Sequence, residues 1–255
     1  MSGHASGDRY LEAMGIRRWK LRDGSATEPD EQDVAVAQTA EVPVASQRSA
    51  DALAEPATDT SSDQLSDQGV WSVLRQRVSN CTACALHETR MNTVLGAGDT
   101  YADWLIVGEA PGEEEDQSGE PFVGKAGQLL NEMLLAVGFQ RSDVYIANTI
   151  KCRPPDNRDP LPEETEACAG FLQEQIELVE PRFILAVGLP AAKRLLGLDG
   201  DPKLANLRGK VHHYGDSKIP LVVTYHPAYY FHQPQQKRKG WDDLLFARQV
   251  AAGNS

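Results

Sequence analysis

The fold class follows first from residues Trp104-Leu-Ile-Val-Gly-Glu-Ala-Pro-Gly112. Its first four residues form a continuous apolar run, which is typical of a strand that is buried on both faces. The glycines and the proline that follow end the strand in a loop. The stretch therefore predicts a strand over residues 104–107 and a glycine-rich loop over residues 108–112. If the sheet is parallel, this loop lies at the carboxyl edge, where ligands bind in such sheets.

Further apolar runs alternate with amphipathic segments on both sides of this stretch. Three more strands are predicted over residues 144–147, 183–187 and 221–224. Helices are predicted from Val70 towards Cys81, and over residues 126–137, 163–179 and 241–250. Strands that alternate with helices indicate a parallel sheet covered on both faces. We therefore expect a three-layer α/β/α domain with a central four-stranded parallel sheet, over residues 70–255.

Charge is spread unevenly along the 255 residues, whose net charge is −12. Residues 24–69 carry ten acids and one base and contain neither an aromatic residue nor an isoleucine. Such a segment cannot bury enough apolar surface to offset its chain entropy, so we expect a disordered acidic linker. The remaining domain has a net charge of −5. A domain of that charge can still present a local basic face to DNA.

Membrane and secretory segments are not expected. No apolar run approaches the ~18–20 residues that a membrane span needs. The N-terminus also lacks the basic start and apolar stretch of a secretory signal. We therefore expect a cytoplasmic protein that makes no contact with a membrane.

The chain has four cysteines, Cys81, Cys84, Cys152 and Cys168. Cysteines in the cytoplasm act more often as ligands or catalysts than as disulfides. The first two are separated by two residues, a spacing that suits one shared tetrahedral thiolate site. The spacing alone does not choose between zinc and an iron–sulfur cluster.

Five ordered blocks carry a family resemblance. They are Cys81-Thr-Ala-Cys84, Gly108-Glu-Ala-Pro-Gly-Glu-Glu-Glu-Asp116, Pro121-Phe-Val-Gly-Lys-Ala-Gly127, Asn148-x3-Cys152-Arg-Pro-Pro155 and His226-Pro-Ala-Tyr229. With these blocks, residues 70–250 resemble the family 4, iron–sulfur type uracil-DNA glycosylases. The resemblance implies a [4Fe–4S] cluster on the four cysteines, and a loop that wraps the base with Glu109, Ala110 and Pro111. We also expect a bacterial, nucleoid-associated monomer that acts on single- and double-stranded DNA containing uracil.

The chemistry of uracil excision also follows from individual residues. The enzyme must take uracil out of the base stack into a pocket. Phe122 offers a flat face for the ring, and its glycine-rich neighbours predict an exposed loop. The amide of Asn148 can pair with uracil O4 and N3–H, where cytosine presents the reverse pattern. His226 can donate a hydrogen bond to uracil O2 as negative charge grows there. Glu109 is a candidate for holding the attacking water.

Several charged and aromatic residues have open assignments. Residues 113–116 form an acidic run that is expected to be a solvated loop, in which Glu115 could close the pocket near uracil C5. Lys125, Lys151 and Arg153 are expected to contact phosphates. Tyr230 and Phe231 either enter the opened stack or pack beneath the final helix.

The N-terminal segment, residues 1–23, is predicted to be a short docking peptide. Residues 8–22 contain Leu11, Ile16 and Trp19 within a mildly basic run. The run is similar to the N-terminal peptide of the psi subunit of the bacterial polymerase III clamp-loader assembly, with Met14 where that peptide has leucine. The resemblance implies a contact with the clamp loader. The alternative is a frayed tail.

Two other functions are also compatible with the sequence. One is a module that traps itself covalently on the abasic sugar, although residues 151–159 lack the basic, histidine-containing loop of such relatives. The other is a non-catalytic iron–sulfur module that binds DNA and is tethered to the replication machinery. The favoured function is a DNA repair glycosylase that turns over.

Overall fold

The computed structural model describes residues 61–253. Strands and helices alternate along this part of the chain. The strands are β1 (Ala97–Gly98), β2 (Trp104–Gly108), β3 (Tyr145–Asn148), β4 (Phe183–Val187), β5 (His212–Tyr214) and β6 (Ile219–Thr224). The helices are α1 (Ser61–Ser79), α2 (Glu113–Ser118), α3 (Lys125–Ala136), α4 (Pro162–Val179), α5 (Leu189–Leu196), α6 (Leu204–Leu207), α7 (Tyr229–His232) and α8 (Lys237–Ala251). Short 3-10 turns lie at Ala85–Glu88, Arg141–Asp143, Pro155–Asn157 and Pro234–Gln236.

The strands form one mixed sheet in the order β1-β3-β2-β4-β6-β5. Its four central strands run parallel, and each edge strand pairs antiparallel with its neighbour. The four strands predicted from the sequence are these four parallel strands, so that prediction is confirmed. The edge strands β1 and β5 were not predicted because each has only two or three residues and no apolar run.

Helices cover both faces of the sheet, because successive strand residues point to opposite sides. On one side, Ile106 belongs to a core shared with α3 and α8. On the other, Leu105 and Val107 belong to a core shared with α4 and α5. All residues of β2, β3 and β4 are buried, as expected for a sheet between two helical layers. The three-layer α/β/α prediction is confirmed.

The helices predicted over residues 126–137, 163–179 and 241–250 agree with α3, α4 and α8 apart from a few residues at their ends, and the helix predicted from Val70 is the second half of α1. Helix α1 begins at Ser61, so its first turns lie in the range 24–69 assigned to a linker by composition. The docking peptide at residues 1–23 lies outside the described residues. None of the helices in residues 61–253 combines the length and apolar character that crossing a membrane requires.

The prediction of a solvated loop over residues 113–116 is wrong, because these residues form the first turn of α2. Acidic residues at a helix N-terminus are favoured by its exposed N–H groups. Glu115 Oε2 also accepts the backbone N–H of Gly112 at 3.0 Å, which caps the helix. Asp116 is buried and accepts the N–H of Met91 at 3.0 Å. Glu115 and Asp116 are therefore structural, whereas Glu113 and Glu114 are exposed.

A buried polar cluster fixes the end of β6. Arg208 binds both carboxylate oxygens of Asp243 at 2.6 and 2.9 Å, and Thr224 donates its hydroxyl to the same carboxylate at 2.7 Å. Arg208 also lies over the Tyr225 ring, 4.5 Å from its centroid. This cluster holds α8 and the segment before β5 against the last residue of β6, two residues before His226.

We expect Asp243→Ala to lower the free energy of unfolding by about 3–5 kcal/mol, because it leaves the Arg208 charge partly buried without its partner. The matched control is Asp242→Ala next to it, where an exposed pair with Arg238 at 3.2 Å should contribute at most about 1 kcal/mol. Equilibrium denaturation of both variants is the measurement. Equal, small losses would show that the buried cluster does not hold the fold.

Candidate active site

A cleft of about 740 Å³ lies at the carboxyl edge of the parallel strands. The loops after β2, β3 and β6 all contribute to its wall, as expected for ligand sites in such sheets. The structure brings together in this wall all six residues that the sequence predicted to bind or act on substrate. They are Glu109, Ala110, Pro111, Phe122, Asn148 and His226.

The glycine-rich loop after β2 is held by the segment after β3. Thr149 donates its backbone N–H to the Gly108 carbonyl at 2.9 Å and its hydroxyl to the Glu109 carbonyl at 2.6 Å. Ile150 donates its N–H to the same Glu109 carbonyl at 3.2 Å. A Cβ on Gly108 would lie 2.5 Å from Asn148 Oδ1. Only glycine therefore allows the loop to approach Asn148 this closely.

Phe122 forms one wall of the cleft and is only 5% exposed. Its backbone has the uncommon φ of +52°, and the guanidinium of Arg141 binds the carbonyls of Pro121 and Phe122. A Cβ on Gly127 would lie 1.8 Å from the Phe122 carbonyl oxygen, so α3 approaches this loop closely. The expectation of an exposed loop was wrong at Phe122, because Arg141 and α3 draw it into the core.

Glu115 also lines the cleft, and its carboxylate joins two loops. Besides capping Gly112, it accepts the N–H groups of Val123 and Gly124, both at 2.9 Å. The carboxylate therefore holds the start of α2 against the loop that carries Phe122. Its predicted place near uracil C5 stays a prediction.

Two buried oxygens in the cleft have no hydrogen-bond partner: Asn148 Oδ1 and Glu109 Oε1. Buried polar atoms are normally paired, so an unpaired atom in a cleft suits a ligand that supplies the missing bond. Burial raises the pKa of Glu109 to about 7, and the nearby charge of Asp159 adds to the shift. The Glu109 carboxyl is therefore close to half ionised at neutral pH.

His226 lines the same cleft and is half-buried. Its ring centroid is 5.5 Å from that of Phe122. The Ala228 N–H approaches His226 Nδ1 at 3.3 Å, which makes Nδ1 the acceptor. Burial lowers the pKa of His226 to about 4, and the charge of Glu115 opposes the shift. The imidazole is therefore neutral at pH 7 and carries its proton on Nε2.

The four cysteines line a second, small cavity. All four are free thiols. Among the described residues, no group of three or more His, Cys, Asp or Glu side chains forms a ready site for a metal ion. The shared cavity nevertheless collects four soft thiol donors, which suit zinc or iron.

Arg90 and Lys151 both line the same cavity. Arg90 Nη1 lies 3.0 Å from Cys152 Sγ, and Lys151 donates its backbone N–H to Cys168 Sγ at 3.3 Å. Burial raises the pKa of the Cys168 thiol to about 11, and the charge of Lys151 opposes that shift. Positive charge beside these sulfurs favours the thiolate form that a metal requires.

Besides Phe122, Lys151 lies elsewhere than the sequence predicts, and some residues of the two cavities carry no sequence signal. Lys151 was expected to contact phosphate, but it is 1% exposed, because its side chain turns inward to the Asn148 carbonyl. Arg90 and the cleft residues Arg158 and Asp159 were not singled out. The sequence carries no periodic or motif signal for them, since their positions depend on how loops fold over the sheet edge.

Comparisons with known proteins place these features in a family context. The family model of the uracil DNA glycosylase superfamily matches residues 95–245. The chain is 45% identical over 175 residues to a type-4 uracil-DNA glycosylase of Pyrobaculum aerophilum, covering 67% of this chain and 89% of that protein. It is 43% identical over 173 residues to the type-4 uracil-DNA glycosylase of Archaeoglobus fulgidus, covering 66% and 87%. The corresponding protein of Thermotoga maritima is 46% identical over 159 residues, covering 62% and 81%.

We expect the His226 imidazole to titrate near pH 4, because burial disfavours its charged form. At pH values between about 4, the pKa in the folded chain, and about 6.5, the ordinary pKa of histidine, His226 binds a proton in the unfolded chain but not in the folded chain. The stability that His226 contributes is therefore lost as the pH falls through this window. Nitrogen NMR of the labelled imidazole measures the pKa. Glu115→Gln should lower it further, and a pKa at or above 6.5 would contradict the burial argument.

Proposed function

Because the chain belongs to the uracil-DNA glycosylase superfamily, and within it to the type-4 family, we propose that it removes uracil from DNA. It hydrolyses the N-glycosidic bond and leaves free uracil and an abasic site, the first step of base excision repair. The enzyme is a hydrolase that acts on N-glycosyl bonds. The observation that carries this proposal is the unpaired Asn148 Oδ1 beside Phe122 and the neutral His226 in one cleft.

Asn148 and Phe122 are assigned to recognition of the flipped base. Uracil N3–H would supply the hydrogen bond that Asn148 Oδ1 lacks, while the amide N–H₂ donates to O4. Cytosine would set acceptor against acceptor and donor against donor, which leaves buried groups unpaired and disfavours binding. The Phe122 ring stacks on the pyrimidine. Backbone and side-chain groups of Glu109, Ala110 and Pro111 form the rest of the pocket.

His226 is assigned to the departing base. When the bond between C1′ and N1 breaks, its electron pair stays with uracil, and negative charge develops at O2. The neutral imidazole carries its single proton on Nε2 and donates it in a hydrogen bond to that oxygen. A donor of this kind, fixed in a partly dry cleft, contributes about 3–4 kcal/mol to the transition state.

Glu109 is assigned to the water that attacks C1′. Its unpaired Oε1 accepts a hydrogen bond from water in the ionised form, and the carboxylate also faces the positive charge that develops on the sugar. Because the pKa of Glu109 is about 7, the ionised fraction rises with pH through neutrality. Glu109 then takes the proton that water releases as the new C–O bond forms.

Cys81, Cys84, Cys152 and Cys168 are assigned to a [4Fe–4S] cluster, with zinc as the alternative. The supporting observations are their shared cavity and the type-4 relatives. A cluster closed by four thiolates supplies structural cross-linking between the segment after α1, the segment after β3 and helix α4. No catalytic step uses it.

The rim of the cleft is assigned to DNA. Phe231 lines the rim and is 50% exposed, whereas Tyr230 is buried. Phe231 is therefore the aromatic residue available to enter the opened stack. Lys125 and the run Lys237–Lys239 contact phosphates of single- or double-stranded DNA. The proposal includes a bacterial cytoplasmic, nucleoid-associated monomer whose residues 8–22 contact the clamp loader.

A covalently trapping or non-catalytic module tethered to the replication machinery is not favoured. The relatives at 43–46% identity are named as glycosylases. Product counting separates the functions: a glycosylase releases many uracils per chain, a trapping module forms one adduct, and a binding module does neither.

We expect wild type to release uracil over many turnovers from single-stranded DNA and from a U:G duplex. Asn148→Ala and His226→Ala should each lower kcat/KM by about 10²–10³, because each removes an interaction with the buried base. The matched controls are Asn206→Ala and His213→Ala, two exposed residues outside the cleft. If wild type releases no uracil while its metal content is intact, the glycosylase proposal is wrong.

We also expect the anaerobically purified protein to contain iron and sulfide and to show the visible absorbance of an iron–sulfur cluster. Cys152→Ser should remove both, because a hydroxyl does not replace a thiolate ligand of iron. Ala83→Ser, in the loop between the first two cysteines, is the control and should keep them. A colourless protein that contains zinc would show that the four cysteines bind zinc and not a cluster. A wild type without any metal would contradict a thiolate metal site.

A further inference from the structure

Residues 148–152 connect the two cavities, and we name them the 148–152 link. The link begins with Asn148 in the cleft and ends four residues later with Cys152 in the cysteine cavity. Between them, Thr149 and Ile150 hold the carbonyls of Gly108 and Glu109. Binding or loss of a metal at the cysteines can therefore shift the groups that face the base, because only a few residues and hydrogen bonds connect the two.

Lys151 is the residue that ties the two ends of this link together. Its Nζ donates to the Asn148 carbonyl at 2.7 Å, and its backbone N–H donates to Cys168 Sγ at 3.3 Å. Its own carbonyl accepts the Val94 N–H at 2.8 Å. The same residue therefore contacts the base-reading position and the metal-ligating position.

The burial of Lys151 needs a counter-charge. At 1% exposure, its ammonium has lost nearly all its water, which is costly unless an opposite charge or hydrogen-bond acceptors replace it. A centre held by four thiolates is negatively charged overall, whether it is one divalent ion or a cluster. Lys151 and Arg90 line the cavity of that centre. The two cations thus offset the charge of the bound centre.

We propose that Lys151 is a positioning residue that couples the metal centre to uracil recognition, because its amine holds the Asn148 carbonyl while its backbone N–H contacts the Cys168 thiol. The inference rests on the proposed function for the meaning of Asn148. Through this coupling, the affinity for uracil depends on the metal centre and on the Lys151 amine. Lys151 itself touches neither the base nor the reacting atoms.

Lys151→Met and Arg90→Met separate this role from a purely structural one. Both variants remove a cation from the cysteine cavity, but only Lys151 contacts Asn148. The measurements are metal content per chain and the dissociation constant of free uracil, corrected for the metal-loaded fraction. We expect Lys151→Met to weaken uracil binding by about tenfold per loaded chain, since a buried hydrogen bond to a charged group is lost. Loaded Arg90→Met should bind uracil as wild type does.

Two outcomes would overturn the proposal. In the first, loaded Lys151→Met binds free uracil as tightly as wild type. In the second, loaded Lys151→Met and loaded Arg90→Met lose uracil affinity equally, so the contact of Lys151 with Asn148 adds nothing to the loss of a cation. A purely structural Lys151 would lower the metal content per chain but would leave the uracil dissociation constant of the loaded chains unchanged.

Hydrogen exchange on wild type tests the coupling without a substitution that could unfold the chain. Removal of the metal by a chelator should speed exchange of the Thr149 and Ile150 amides, which bond the Gly108 and Glu109 carbonyls. Equal exchange with and without metal would overturn the coupling. This readout needs no uracil. A wild type that neither binds nor releases uracil would therefore reject the proposed function, while the exchange data still decide whether the link responds to the metal.

Discussion

The site depends on one pairing in the sheet. Strands β2 and β3 run parallel in a register that puts Gly108 opposite Asn148. Because both strands end at the same edge of the sheet, the glycine-rich loop and the 148–152 link start side by side. The link donates hydrogen bonds to the Gly108 and Glu109 carbonyls. The missing side chain at Gly108 leaves the space that the Asn148 amide and the Phe122 ring occupy.

The two cavities differ in the charges that neighbour their titratable groups. In the cleft, burial favours neutral forms, raising the pKa of Glu109 to about 7 and lowering that of His226 to about 4. Such a setting strengthens a hydrogen bond to a base on which charge is growing. In the cysteine cavity, Arg90 and Lys151 supply positive charge beside thiols that must ionise to bind metal. The two cavities lie only a few residues apart along the 148–152 link.

The parts of this arrangement that are local in sequence were predictable. Each parallel strand is a continuous apolar run, and the predicted site residues Glu109, Asn148 and His226 follow strand ends, which meet at one edge of a parallel sheet. The edge strands carry no such run. The acidic residues that start α2 look solvated in sequence, because their partners, such as Met91, are distant along the chain. Lys151 looks like a phosphate ligand for the same reason, since its burial depends on tertiary packing.

We propose that Phe122, Asn148 and His226 bind and release uracil in one cleft. A crystal structure of the metal-loaded protein soaked with uracil tests this arrangement. We expect the base stacked on the Phe122 ring, the Asn148 amide paired with O4 and N3–H, and His226 Nε2 within hydrogen-bond distance of O2. Uracil bound elsewhere, or in this cleft with O4 and N3 turned away from Asn148, would contradict it.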